Sequence, residues 1–237
     1  MTEVSPQKLR VEVGKSSSVS ALLISPDNAR ACFVFAHGAG AGMTHPSMEA
    51  VARGLAARGI ATLRYQFPYM EKGGKRPDPP AIAHAAVRAA AAEAGRACPG
   101  VPLIAGGKSF GGRMTSQAQA KAPLEGVQGL AFLGFPLHAA GKPSNERAAH
   151  LADVHIPMLF LQGSADKLAE LDLLGPVVAG LGRLATLNVI DGADHSFHVP
   201  KRSPRDDREV MDEVLYAFAA WLGTIGASND GGHRREP

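Results

Sequence analysis

The stretch VPLIAGGKSFGGR, residues 101–113, contains a tripeptide, Gly107-Lys108-Ser109, that fits two different chemistries. A phosphate-cradling P-loop needs a glycine five positions before Gly107, so that the backbone can curl around the anion. That position is Pro102. Proline lacks an N–H and fixes its own φ at the start of an expected strand, so no anion nest closes around it. The alternative pattern, G-x-S-x-G, is met by Gly107-Lys108-Ser109-Phe110-Gly111, with Gly112 following. It sets the serine on a strained turn between a strand and a helix, where side chains on the flanking residues would collide with neighbouring elements. The pattern also arises by chance, so its surroundings decide. VPLIAGG (101–107) reads as a strand, and the residues after Ser109 read as a helix to about Lys121.

Working outward, the chain keeps the same alternation. LRVEV (9–13) and SVSALLIS (18–25), joined by Gly-Lys-Ser-Ser, form an expected antiparallel hairpin. ACFVFAH (31–37) is a continuous apolar run of the kind buried on both faces of a parallel sheet. Helices are expected over about 46–58, 80–95, 167–181 and 205–222, and further strands over 60–65, 127–135, 156–163 and 185–192. The expected fold is therefore α/β: a mostly parallel eight-stranded sheet with an antiparallel N-terminal hairpin and helices on both faces. In such sheets ligands sit beyond the carboxyl ends of the strands, which directs attention to the post-strand loops. No internal repeat is present.

Composition narrows the function classes. At 237 residues, one domain spanning 1–226 is expected, with 227–237 as a disordered tail. Apolar residues make up 45% and charged residues 20%, ordinary for a soluble globular chain. The net charge is +3 with Lys and Arg scattered, so no nucleic-acid stripe is seen. The pI near 9.0 leans slightly toward anionic ligands or simply reflects a solvated surface. MTEVSPQKLR has no apolar core of a signal peptide, and no stretch approaches the length of a membrane span, so a cytoplasmic location with no membrane partner is expected. Two cysteines, Cys32 and Cys98, exclude a disulfide scaffold and a Cys-rich zinc site. Buried free thiols are expected, with a bond between them as the alternative.

A serine nucleophile needs a base to take its proton and an acid to hold the base in one tautomer. Both should follow later strand ends, in the order Ser, Asp, His. LFLQG ends at Gly163 and is followed by Ser164-Ala165-Asp166; LNVIDG ends at Gly192 and is followed by Ala193-Asp194-His195. Asp166 is thus the candidate acid and His195 the candidate base, with a loop-capping role the alternative for Asp166. Asp194 neighbours the base and should point elsewhere, Asp172 falls in an expected helix, and Asp191 lies within a strand. Among the nine histidines, His198 is the close rival of His195. The oxyanion donors expected are the N–H of Phe110, at the head of a helix, and that of Ala39, in the HGAGAG turn (37–42).

Lys108, Arg113, Lys142 and His138 border this constellation. The three cations, Lys108, Arg113 and Lys142, are candidates for receiving a carboxylate or phosphate on a substrate, or else they hold loops together through carbonyls. The loop QFPYMEKGGKRPDP (66–79) either walls a pocket through Phe67 and Tyr69 or simply connects elements. The substrate contacts expected are Lys108, Tyr69 and His138.

HGAGAG, GKSFGG, the aspartate after the next-to-last strand and GADHSF together resemble the α/β-hydrolase superfamily across residues 31–222. More narrowly, GGKSFGGR, FPLHAAGKP and DGADHSFHVPKRS are similar to the small hydrolase-like family that contains testis-expressed protein thirty, related to dienelactone-hydrolase-like proteins. The resemblance implies an α/β-hydrolase fold with Ser109 as nucleophile, Asp166 as acid and His195 as base. The acid loop departs from the family pattern, with Ala165 and Lys167 where an arginine and a proline are expected. Only some twenty residues separate the strands ending at 135 and beginning at 156, so no lid or a minimal one is expected. The expected activity is hydrolysis of an ester or thioester of a small soluble acyl substrate, with no metal and no cofactor. Its alternative is a catalytically silent scaffold with the same fold, and the oligomeric state is left open.

Overall fold

The structure is a computed structural model that describes residues 5–14 and 17–229. Its strands are β1 (Gln7–Val13), β2 (Ser17–Ile24), β3 (Ala31–Ala36), β4 (Ile60–Tyr65), β5 (Leu103–Lys108), β6 (Val127–Leu133), β7 (Met158–Gly163) and β8 (Ala185–Ile190). They form one sheet in the order β1-β2-β4-β3-β5-β6-β7-β8. β1 pairs antiparallel with β2, and β2 antiparallel with β4; every other pairing is parallel. The sheet thus matches the arrangement read from the sequence, with β5 and its serine near the middle.

Burial explains the strand sequences. Every residue of β3, β4 and β7 is buried, because helices cover both faces and each strand must be apolar on both sides. In β1 the burial alternates, as a strand with one covered face requires. On one face lie α1 (Pro46–Ala56) and α6 (Asp207–Asn229), which bring Val51, Leu55, Val214 and Phe218 against Phe33 and Ile104. The other face carries α3 (Pro80–Ala97) and α4 (Phe110–Lys121). α3 presents Ala83, Ala86, Ala90 and Ala94, and side chains this small let a helix lie close on the sheet. Truncating a fully buried ring such as Phe218 costs about 3–5 kcal/mol.

Several boundaries differ from expectation. α6 continues to Asn229, so positions 227–229, expected as tail, are helical, while the rest of that expected tail lies outside the described residues. α5 begins at Leu171 (Leu171–Gly180) rather than near 167, because Asp166 caps the intervening turn by accepting the N–H of Leu168. The one-turn helix α2 (Pro68–Glu71) and a 3-10 helix over Glu146–Asp153 are shorter than the stretch over which helical periodicity is read. Between β6 and β7 stand only that 3-10 helix and a turn closed by a bridge between Ala139 and Lys142, with Gly141 at φ 69. No larger cap occupies this connection. Among the described residues no helix is long and apolar enough to cross a membrane. Cys32 and Cys98 are free and buried; a hydrogen bond with the Cys98 thiol, followed by burial, raises Cys32 above the ordinary thiol range.

Candidate active site

Ser109 occupies φ 51 and ψ −117, a conformation that costs a residue with a side chain about 1–3 kcal/mol. The surroundings hold it there. Its N–H donates to Leu133 O at 3.2 Å, and its carbonyl accepts from Arg113 N at 3.1 Å as the first turn of α4 closes. The neighbouring glycines are required by space. A Cβ on Gly107 would lie 2.4 Å from Ala36 O, and one on Gly111 would lie 2.6 Å from the carbonyl oxygens of Ala36 and His37. The bend can therefore form only where both flanks lack side chains.

Asp166 follows β7 and is 2% exposed. Its carboxylate accepts from Leu168 N at 2.8 Å, from Gln162 Nε2, and from His195 Nδ1 at 2.7 Å. Three donors thus satisfy a charge that burial would otherwise penalise. The loop after β8 presses directly on this one: Ala165 N donates to Ala193 O at 2.9 Å, and a Cβ on Gly163 would sit 2.2 Å from that same oxygen.

His195 is brought in by a tightly folded loop. Asp194 turns away from the site and accepts from Ser196 N at 2.7 Å and His198 N at 3.0 Å. Lys108 donates its ammonium to the carbonyl of His195 and stands 5.1 Å over the ring of Phe197, a residue at φ 62. Burial holds the Lys108 ammonium down to about 8, opposed by the attraction of Asp166 and Asp194. His195 Nε2 lies 2.8 Å from Ser109 Oγ. An ionised carboxylate only accepts, so Nδ1 carries the proton toward Asp166, and the lone pair of Nε2 faces the serine hydroxyl.

The two expected anion donors line the same cavity as the serine. Phe110 begins α4, and Ala39 lies in the turn after β3. Among the described residues neither N–H is engaged by a protein acceptor. The turn is fixed from behind. His37 is fully buried, donates from Nδ1 to Gly38 O at 2.7 Å, and accepts Phe67 N–H on Nε2 at 3.0 Å. Burial lowers the basicity of this ring and keeps it neutral. Tyr69 Oη donates to Ala39 O at 2.7 Å.

A cavity of about 470 Å³ opens beside Ser109, within the size range of small-molecule sites. Ala39, Phe110, Arg113, Arg147 and His138 line it. Two larger hollows, about 650 and 800 Å³, border the start of α6 and hold neither Ser109 nor His195; convergent titratable groups, rather than size, mark the candidate site. The structure brings Ser109, Asp166 and His195 together, with Ala39 and Phe110 beside them. Two of the three expected substrate contacts are spent elsewhere. Lys108 is turned to the His195 loop and Tyr69 to the Ala39 carbonyl, and neither lines the cavity, because burial demands a partner for each polar end. His138 does line it, with Nδ1 at 2.9 Å from Ala139 O and Nε2 against Glu170. The 66–79 loop forms a wall through Pro77 and Asp78 rather than through Phe67 and Tyr69, which pack behind Phe110. His198 is exposed and paired with Asp207 at 2.7 Å.

Gln162, His37 and Arg147 were not singled out for these positions by the sequence. Gln162 left a signal, a lone amide in the otherwise apolar MLFLQG; Arg147 lies in a segment shorter than the helices that periodicity resolves. Among the described residues no group of three or more His, Cys, Asp or Glu side chains is placed to hold a metal ion.

Residues 29–223 match a family model described as an alpha/beta hydrolase domain. Similar solved structures include a dienelactone hydrolase from Anabaena variabilis, with TM-score 0.75 and 21% identity over 94% of this chain and 99% of that one. A serine hydrolase without a lid from Xanthomonas campestris gives TM-score 0.71 and 21% identity over 91% and 94%. Est1E from Butyrivibrio proteoclasticus, solved with ferulic acid, gives TM-score 0.71 and 17% identity over 92% and 99%. At these identities the likeness is one of fold.

Proposed function

Because this chain belongs to the alpha/beta hydrolase domain family, we propose that it is a serine hydrolase that cleaves an ester or thioester of a small molecule through an acyl-enzyme on Ser109. The observation that carries this reading is the unbroken line of hydrogen bonds from Ser109 Oγ through His195 to Asp166, 2.8 and 2.7 Å long. In this reading residues 1–226 act as one hydrolase domain. Ser109 Oγ attacks the acyl carbon while its proton passes to His195 Nε2, and Asp166 balances the imidazolium. The oxyanion is met by the N–H groups of Ala39 and Phe110, an interaction worth several kcal/mol in such sites. Collapse of the intermediate breaks the bond to the leaving group, which takes the proton from His195. Water then attacks the acyl carbon, gives its proton to His195, and frees the acid as the proton returns to Ser109.

The test is labelling with a fluorophosphonate probe, with Ser109→Ala as control. The expected result is one adduct per folded wild-type chain and none on the variant. A folded wild-type protein that takes up no Ser109-dependent label contradicts the reading.

A further inference from the structure

The cavity beside Ser109 has an unusual charge inventory. Two guanidiniums, Arg113 from α4 and Arg147 from the 3-10 helix, line it. Both residues are half-buried, and among the described residues neither guanidinium makes a hydrogen bond or an ion pair. Arg113 Nε is buried without any partner. Donors of this kind are costly when left unmet, and charged ones cost the most. The acidic groups nearby do not meet them. Asp78 lines the cavity but accepts from Tyr69 N at 2.8 Å, and Glu170 is taken by His138.

The field of these cations reaches the rings packed behind them. Burial first, and then the charge of Arg113, holds His150 down to about 4, while His150 Nε2 meets Ser116 Oγ at 2.7 Å. His84, on α3, is likewise kept neutral, by burial and by cations that include Arg113. Arg113 itself is disfavoured by burial and by the like charge of Arg147. An otherwise uncompensated cationic pair therefore faces a cavity that opens onto the serine.

We propose that Arg113 and Arg147 are the receptor for a carboxylate on the substrate, so that the preferred substrates are esters or thioesters of the monoacyl form of a dicarboxylic acid. The inference rests on the hydrolase reading for the identity of Ser109 as the acylated group. The guanidinium fork suits a planar carboxylate, donating to its oxygens through parallel N–H···O bonds. Binding gives the unpaired guanidiniums an acceptor and offsets their mutual repulsion, so the carboxylate gains more here than it would on a solvated surface. No covalent step is added: the distal carboxylate anchors the chain while its other end meets Ser109.

The test compares mono(4-nitrophenyl) adipate with 4-nitrophenyl hexanoate, which match in acyl length and differ in the distal charge. The wild-type protein should favour the acidic ester in kcat/KM by tenfold or more, chiefly through KM. Arg147→Ala should reduce that ratio at least tenfold, and Arg147→Lys should restore part of it, which a merely structural role for Arg147 does not predict. A wild-type ratio at or below one, or a ratio unaltered in Arg147→Ala, overturns the proposal. Calorimetry of adipate with the Ser109→Ala protein separates this failure from that of the hydrolase reading. If neither ester is cleaved, adipate binding that disappears in Ser109→Ala/Arg147→Ala upholds the anion receptor while the acyl chemistry falls. No adipate binding to Ser109→Ala overturns the receptor itself.

Discussion

The loops after β5, β7 and β8 differ from the segment that follows β6 in how completely their polar groups are met. Asp166 has three donors, the His195 carbonyl has Lys108, Asp194 closes its own loop, and glycines let the loops touch backbone to backbone. The segment over 134–157 carries a short 3-10 helix, a small bridged turn and a guanidinium with no partner among the described residues. The first region spends its hydrogen bonds internally and fixes three side chains. The second keeps donors open toward the cavity. Reacting groups need preorganisation, whereas a recognition wall needs unmet valence that a ligand can fill.

The sharpest way to break the first region is Asp166→Asn. The amide preserves shape but favours the wrong tautomer of His195, and kcat should fall by about 10⁴ with the circular dichroism spectrum retained. A fall of less than tenfold would mean that the fixed line of hydrogen bonds does not drive proton transfer.

Lys108→Met removes the tie to the His195 carbonyl while keeping an apolar stem over Phe197. kcat should drop by about tenfold to a hundredfold as the imidazole loses its place. The same variant has a stability signature. Burial holds the folded-state Lys108 at about 8, against its ordinary 10.5. Between those values the unfolded chain binds more protons, so wild-type stability relative to Lys108→Met should rise with pH across that window, by at most about 3 kcal/mol in urea unfolding. A difference that is flat with pH would deny that the ammonium is buried as a cation.

The smallest expected effect belongs to the wall. His150 is held down to about 4 by burial and Arg113, so wild-type stability should fall as pH drops from 6.5 toward 4, where unfolding takes up a proton. His150→Gln should flatten that slope by no more than about 1 kcal/mol, because solvent still reaches the ring. His37 and His84, also lowered by burial, keep their share.

These differences also explain what the chain disclosed before folding. The sheet was legible because the doubly covered strands β3, β4 and β7 must be apolar throughout, and the order of post-strand loops pointed to Ser109, Asp166 and His195. For Lys108 the sequence left two roles open, substrate contact or loop tie, and the structure turns it to the His195 carbonyl, a partner from a loop 87 residues later in the chain. The direction of a side chain at a strand end depends on such approaches, which periodicity does not encode. Arg147 was missed for a related reason: its 3-10 helix over Glu146–Asp153 follows a tighter period than the α-helix for which the sequence was read. Gln162, by contrast, stood out as a polar break in an apolar strand and could be found by asking what a buried amide must bind.

The bridged turn at Gly141 is open on the outside, with nothing within 4 Å of where a side chain would begin. It is joined to the cavity rim but not to the hydroxyl or the imidazole, which makes it a natural splice point. A hood grafted there would change which molecules reach the cavity while leaving Ser109, His195 and Asp166 where they stand.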